Sequence, residues 1–247
     1  MDTQTSLLLL AAGVTGGIIN ALAGGATLIT FPAMLAAGLP AVIANASNAV
    51  AISPGHLIAA LADRGKLPPP TRRTISFVVI AALSGTIGAG ILLLLAERLF
   101  VLPVPALIAF ATLLFAFAPQ IQGWTIGCER AAALSSTGAS GAILGLACVY
   151  GGFFGAGLGV ILTAVLSITE PNDIRAIKAL KNLLATCVSL AATLIFVFQG
   201  AVRWPETLAM LLGAMIGGYA GGFLIRILPG HTVFSPDRSL TGVRRHS

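Results

Sequence analysis

Long apolar stretches separated by short polar interruptions run from near the first residue to about residue 228. Nine segments can be traced, at about residues 6–23, 25–38, 41–61, 74–96, 101–118, 130–150, 152–168, 174–199 and 205–228. Most are unbroken runs of about twenty residues rich in Leu, Ala and Ile, without the apolar-polar alternation of a membrane β-barrel strand, so helices are predicted throughout. At about 1.5 Å per residue, segments two and seven are short for a hydrocarbon core of about 30 Å. Both adjoin glycine clusters, and half-helices or re-entrant arms are predicted there. The stretch Met1–Ser6 lacks the positive region of a secretory signal and is expected to be retained ahead of the first membrane element. The tail 229–247 is polar and is expected to be a cytoplasmic end.

Composition sharpens this into an all-α polytopic membrane protein. Hydrophobic residues make up 57% of the 247 and charged residues 9%, and the mean hydropathy is +0.97; a soluble domain carries about 25% charged residues. The net charge of +6 does not indicate a nucleic-acid partner, because the basic residues lie between apolar runs with no aromatic-basic patch. They read as topology determinants. With the loop of Arg64, Lys66, Arg72 and Arg73 inside, alternating crossings also place Arg130, Arg175, Lys178, Lys181, Arg226, Arg238, Arg244 and Arg245 inside. Only Arg98 and Arg203 fall outside. The expectation is a multi-pass protein of the cell (inner) membrane with its N-terminus outside and its C-terminus cytoplasmic.

A weak internal repeat runs through this pattern. Gly24-Gly25-Ala26-Thr27-Leu28-Ile29-Thr30-Phe31-Pro32 precedes Ala44-Asn45-Ala46-Ser47-Asn48-Ala49-Val50. In the later segments, Gly151-Gly152-Phe153-Phe154-Gly155-Ala156-Gly157-Leu158-Gly159-Val160 precedes Lys178-Ala179-Leu180-Lys181-Asn182-Leu183-Leu184. Gly25 with Gly159, and Asn48 with Asn182, share an offset of 134 residues. Equivalent segments are five apart, and an odd shift inverts one half against the other. Two inverted structural repeats with broken or re-entrant glycine-rich helices are therefore predicted, about 6–96 and 130–228, joined by 101–118 within one transport domain, 1–228. Transporters of that architecture hold substrate at the repeat interface near the midplane.

The stretch Gly24 to Gly55, with Thr30-Phe31-Pro32, Gly38-Leu39-Pro40, Ala44-Asn45-Ala46-Ser47-Asn48-Ala49-Val50 and Pro54-Gly55, resembles the TauE/SafE sulfite exporter family, also called the toluene-sulfonate uptake permeases. Gly151 to Gly159, Ala179-Leu180-Lys181-Asn182-Leu183-Leu184 and Gly217-Gly218-Tyr219-Ala220-Gly221-Gly222 carry the same resemblance in the second half. It implies transport of sulfur-containing anions such as sulfite, sulfonates or thiosulfate, with proton linkage often suspected. Lys178 departs from the Asn that the family pattern leads one to expect.

The residues themselves point to an anion site. Apart from Lys178 and Lys181, no charged residue falls well inside any apolar segment, and an ammonium at a helix centre costs roughly 2.5–3.5 kcal/mol. The plain alternative for both, and for Arg175, is snorkelling to the headgroups. Asn48 and Asn182 are expected to converge on one cavity, donating to substrate oxygens while Lys181 supplies charge; helix-to-helix hydrogen bonding is their simpler role. Asn45, Ser47 and Asn20 are weaker lining candidates. Gly25 and Gly159 mark helix breaks whose free N–H groups would face an anion, whereas Gly213 with Gly217 and Gly218 with Gly222 read as close helix packing. Pro32 and Pro54 are hinge candidates. His56 is the one mid-segment group that titrates near neutral pH and a candidate proton relay, although packing is the commoner use of a lone His.

No nucleophile-base pair, buried carboxylate pair or metal-spaced cluster is found, so neither an enzyme, a cofactor nor a metal is expected. Cys128, Cys148 and Cys187 are widely spaced and read as free thiols. The expected partners are a small anionic substrate and the lipid bilayer, with self-association into a homo-oligomer left open. The reading is a secondary transporter working by alternating access; the alternatives are an anion channel and a non-transporting scaffold.

Overall fold

The computed structural model describes residues 2–121, 137–169 and 174–227, and among these every regular element is helical. Ten α-helices follow in order: α1 Thr3–Ala23, α2 Thr27–Ala36, α3 Ala41–Ala62, α4 Arg72–Leu94, α5 Glu97–Val101, α6 Val104–Ala116, α7 Thr137–Phe153, α8 Leu158–Thr169, α9 Ile174–Phe198 and α10 Trp204–Ile227, with a 3-10 turn at Arg64–Lys66. Among the described residues, four stretches are long and apolar enough to cross a membrane, Thr3–Ala21, Arg72–Leu94, Glu97–Ala116 and Arg175–Phe198. Leu83, Leu94, Leu146 and Phe198 stand exposed on the outer faces of their helices, as side chains facing lipid would. Residues 130–136 of the sixth predicted segment, Cys128, Arg130 and the tail 229–247 lie outside the described residues.

The segments predicted from hydropathy match helices, with one shift. The seventh begins at Leu158 and not at 152, because α7 continues through Gly151 and Gly152 before Gly155 and Gly157 take left-handed conformations (φ 77° and 79°) that end it. Gly24, also left-handed at φ 77°, ends α1 and returns its N–H to the Asn20 carbonyl. At about 1.5 Å per residue, the 10 residues of α2 and 12 of α8 extend only about 15 and 18 Å.

Glycines weld two parallel helix pairs backbone to backbone. In the α1–α10 pair, a Cβ on Gly13 would lie 2.3 Å from the Met210 carbonyl oxygen, and one on Gly217 2.0 Å from that of Val14. In the α4–α7 pair, Cβ atoms on Gly88 and Gly152 would each lie 2.1 Å from a carbonyl oxygen, of Val149 and Gly85 respectively. Small residues allow this approach in lipid, where the hydrophobic effect does not drive helices together. The predicted packing role holds for Gly213 and Gly217. It fails for Gly218 and Gly222, whose missing Cβ atoms would meet open space; the interface continues through Gly221 instead, because a contact stripe repeats every four residues and 218 begins a different one.

Between the two pairs run α3 and α9, packed together. They are antiparallel: Thr186 on α9 donates to the His56 carbonyl of α3 at 2.9 Å, while earlier on α9 Asn182 reaches Asp63 at the end of α3. The start of α3 is held by Glu97, whose carboxylate accepts from the N–H groups of Ala41 and Val42. A carboxylate there satisfies orphan amides and complements the positive end of the helix. In the middle of α3, Pro54 cannot donate to the Val50 carbonyl, and the Ser53 hydroxyl does so at 3.0 Å.

Thermal unfolding in detergent checks both devices. Gly217→Ala is expected to lose about 1–3 kcal/mol through forced separation of α1 and α10, whereas Gly218→Ala is neutral or slightly stabilising, since Ala is the better helix former by about 1 kcal/mol. Glu97→Ala should cost about 1 kcal/mol through the uncapped start of α3.

Candidate functional site

The antiparallel α3–α9 packing leaves a cavity of about 30 Å³ facing the two glycine breaks, room for about two water molecules. From α3 it is lined by Asn45, Asn48, Ala49, Ile52 and His56. Thr27 enters from α2, Gly151, Gly152, Phe154 and Gly155 from the end of α7 and its break, Leu158 from α8, and Ser189 and Ala192 from α9. Along α3, which is about 33 Å long, Asn48 lies about 10 Å and His56 about 22 Å from the first residue, so the cavity occupies the middle of the helix.

The two asparagines are almost fully buried, at 2% and 1% exposure for Asn45 and Asn48. Asn45 donates its Nδ2 to the Phe153 carbonyl at 2.8 Å. That bond orients the amide, since the reverse placement would set two acceptors against each other. The Oδ1 of Asn45 and the Oδ1 of Asn48 are left buried without a protein hydrogen-bond partner. Each such acceptor costs about 1–3 kcal/mol, and a native fold that keeps two in one cavity calls for an explanation. The fully buried Ala44 and Ala46 beside them let neighbouring helices close on this face of α3.

The starts of the short helices contribute the opposite polarity. Thr27 is the first residue of α2 and Leu158 the first of α8, and both line the cavity. Ala26, at the cap position of α2, has no side chain that can accept a hydrogen bond. The leading N–H groups of a helix have no intrahelical acceptor and carry its partial positive charge. At these two starts Leu28 and Ile29 donate to the Gly25 and Ala26 carbonyls and Leu158 and Val160 to those of Gly155 and Gly157, so what the short helices bring to the polar face of α3 is the positive end of each dipole and the Thr27 side chain.

Asn182 is not brought together with Asn48. Its Nδ2 donates to Asp63 Oδ2 at 2.8 Å, and Asp63 Oδ1 pairs with Lys66 Nζ at 2.7 Å. Asp63 is about 22 Å along α3 from Asn48, because antiparallel packing carries equivalent positions of α3 and α9 to opposite sides of their crossing. Lys181 is half-buried, within electrostatic range of Asp63, His56 and the exposed Lys178, and outside the cavity lining. Ser47 accepts from the Arg203 N–H at 3.0 Å. Gly25 packs on the Phe115 ring, where a Cβ would lie 2.7 Å from it, and Gly159 lies within the first turn of α8. Asn20 packs over Gly55. Cys148 is buried and Cys187 half-buried, both as free thiols.

Of the residues singled out in the sequence, Asn45, Asn48 and His56 line the cavity; Thr27 and Ser189, which also line it, and the Phe153 carbonyl that holds Asn45 were not among them. Thr27 had a readable signal, a hydroxyl directly after a glycine break. Ser189 and a backbone carbonyl had none. Asp63 ranked only as a flanking charge, although it ties the end of α3 to α9.

The TauE/SafE sulfite exporter family matches the chain over residues 9–235. A probable membrane transporter protein of Haemophilus influenzae is 26% identical over 238 residues, covering 96% of this chain and 91% of the relative. The probable membrane transporter protein YfcA of Escherichia coli K12 is 27% identical over 242 residues, covering 91% and 86%. No solved structure matches. With a family match from α1 through α10 and four helices that can span a bilayer, the chain belongs to the TauE/SafE sulfite exporter family and is a multi-pass membrane transporter.

Proposed function

We propose that this protein is a secondary transporter of small sulfur-containing anions, sulfite or sulfonate, in the inner membrane, and that it works by alternating access around the cavity on α3. The single observation that carries this reading is the convergence of two helix starts, at Thr27 and Leu158, with the buried amides of Asn45 and Asn48 in mid-helix. Helix starts aimed at an anion from broken membrane helices are the device by which transporters bind substrate without a fixed charge.

The proposed architecture is two inverted halves, 6–96 and 130–228, in one domain, with α2 and α8 as re-entrant arms. The packing supports it. Exchanging each helix of one half for its counterpart turns the α1–α10 pair into the α7–α4 pair, α1–α2 into α7–α8, and α2–α3 into α8–α9, while α3–α9 maps onto itself. All of these pairs are in contact. Both welded pairs are parallel and the central pair antiparallel, as an inverted repeat requires.

In this reading Asn45 and Asn48 bind substrate, the helix starts hold its negative oxygens, and His56 closes the inner end of the cavity, where a proton relay would sit. Lys181 and Asn182 act one step inward, at an access point latched by Asp63. Ser47, Gly25 and Gly159 shape the surrounding backbone. The positive-inside distribution sets the Arg64–Lys66 turn and the tail on the cytoplasmic side.

The test is flux of labelled sulfite in proteoliposomes, with saturation and trans-stimulation expected of a carrier. Asn48→Leu should reduce uptake at least about 10-fold while leaving thermal stability equal or higher, since replacing an unsatisfied buried amide with an apolar side chain is neutral or favourable. A fall in stability that parallels the loss of flux would make Asn48 a packing residue. Lys181→Met is expected to raise KM several-fold with turnover retained, because an inner charge concentrates substrate without touching it; unchanged KM removes Lys181 from the pathway.

A further inference from the structure

We propose that two unequal gates close the cavity, the interlocked rings of Phe31 and Phe154 on its outer side and the Asp63–Asn182 hydrogen bond on its inner side, so that the substrate-free protein opens to the cytoplasm more readily than to the outside. This rests on the alternating-access reading above and assigns the gates that reading requires. With the basic Arg64–Lys66 turn cytoplasmic, Asp63 marks the inner end of α3 and Ala41 its outer end.

Aromatic rings fill the space between the cavity and the outer end of α3. Phe31 stands one turn beyond Thr27 on α2, about 6 Å along the helix, and meets Phe154 edge to face with ring centroids 5.4 Å apart. Phe154 lines the cavity and packs in turn on Tyr150 at 6.4 Å. Next to it, Phe153 meets Phe100 of α5 at 5.6 Å. The Phe153 carbonyl holds Asn45 near the start of α3, and Phe100 follows Glu97, whose carboxylate closes that start. Phe31 and Phe100 are fully buried and Phe154 nearly so. Parting these rings gives up edge-to-face packing that neither water nor backbone replaces.

The inner closure differs in kind. From His56 to Asp63 α3 continues for about 10 Å, and along it α9 contributes two side-chain hydrogen bonds, Thr186 to the His56 carbonyl at 2.9 Å and Asn182 to Asp63 at 2.8 Å. Each group has a replacement when the helices part. The Thr186 hydroxyl lies 2.7 Å from the Asn182 carbonyl of its own helix, and Asp63, 25% exposed, meets water and keeps Lys66 at 2.7 Å. Two halves alike would close both ends alike. The offset of 134 residues instead sets Val165 against Phe31, Asn20 against Phe154, Gly16 against Tyr150 and Val197 against Asp63, so the rings stand at one end only and the carboxylate at the other.

Thiol labelling from each face of the membrane tests these gates. Full-length protein with Cys128, Cys148 and Cys187 replaced by Ala carries one reporter in the cavity wall, Ser189→Cys on α9 or Ala49→Cys on α3, and meets a membrane-impermeant methanethiosulfonate in right-side-out and in inside-out vesicles. Without substrate, both reporters are expected to react at least about 10-fold faster from the cytoplasmic face. Phe31→Leu and Phe154→Leu should each raise the outer rate several-fold, and Asp63→Ala the inner rate alone. Equal rates on the two faces, faster reaction from outside, no reaction from the inner face, an outer rate that neither leucine variant raises, or an inner rate unmoved by Asp63→Ala overturns the assignment. Sulfite flux of the parent protein is read alongside: flux with the wrong sidedness leaves transport standing without these gates, and absence of flux removes the transport reading and the gates with it.

Discussion

Hydrocarbon offers no hydrogen-bond partner, and a chain that interrupts helices within it must house every backbone group the interruption frees. At the two glycine breaks the outgoing ends are closed locally. Gly24 donates to the Asn20 carbonyl and Gly155 to that of Tyr150, and the Tyr150 hydroxyl covers the Ala156 carbonyl at 2.7 Å. The incoming ends are closed as well, the N–H groups of Leu28 and Ile29 donating to the Gly25 and Ala26 carbonyls and those of Leu158 and Val160 to Gly155 and Gly157. The first residues of α2 and α8, Thr27 and Leu158, line the cavity beside α3. The rest of the architecture shields those two breaks from lipid: α3 and α9 stand between them, and the outer helices enclose them.

Enclosure in lipid calls for contacts that do not depend on expelling water. The glycine stripes answer this by bringing backbones so close that a single methyl would collide with a carbonyl at Gly13, Gly217, Gly88 or Gly152. Dispersion and weak Cα–H contacts then act over a long shared surface. Such a weld yields no adjustable interface. The helices that can move against one another are those joined by side chains, above all α3 and α9, where Asp63, Asn182, Thr186 and the His56 carbonyl make a small number of exchangeable hydrogen bonds. Rigid pairs outside and a sparse polar seam inside are the distribution that rocking of one bundle against another needs.

Much of this was readable from residues. The helical segments follow from hydropathy, and the short α2 and α8 from the coincidence of brief apolar runs with glycine clusters. Asn45, Asn48 and His56 could be chosen because a polar side chain in an apolar run must find a partner or a purpose. The convergence of Asn48 with Asn182 could not be read correctly. Sequence offset identifies equivalent positions, but whether they meet depends on how far each lies from the crossing of α3 and α9. The choice between Gly218 and Gly221 depends likewise on helix rotation, which an all-apolar helix does not encode in its polarity. Ser189 and the Phe153 carbonyl belong to the site only through tertiary packing.

The unequal status of the two asparagines bears on how selectivity can arise without charge. Asn182 has an anionic partner in Asp63, so its amide is already committed and gains little by meeting a ligand. The Oδ1 of Asn48 has no such partner, and its burial costs about 1–3 kcal/mol. A lysine in the cavity would instead bind any anion by its charge, with little power to distinguish a sulfur oxyanion from chloride. Lys181 stands near Asp63 and outside the cavity lining, so the space between the asparagines and the glycine breaks is bounded by residues without a fixed charge.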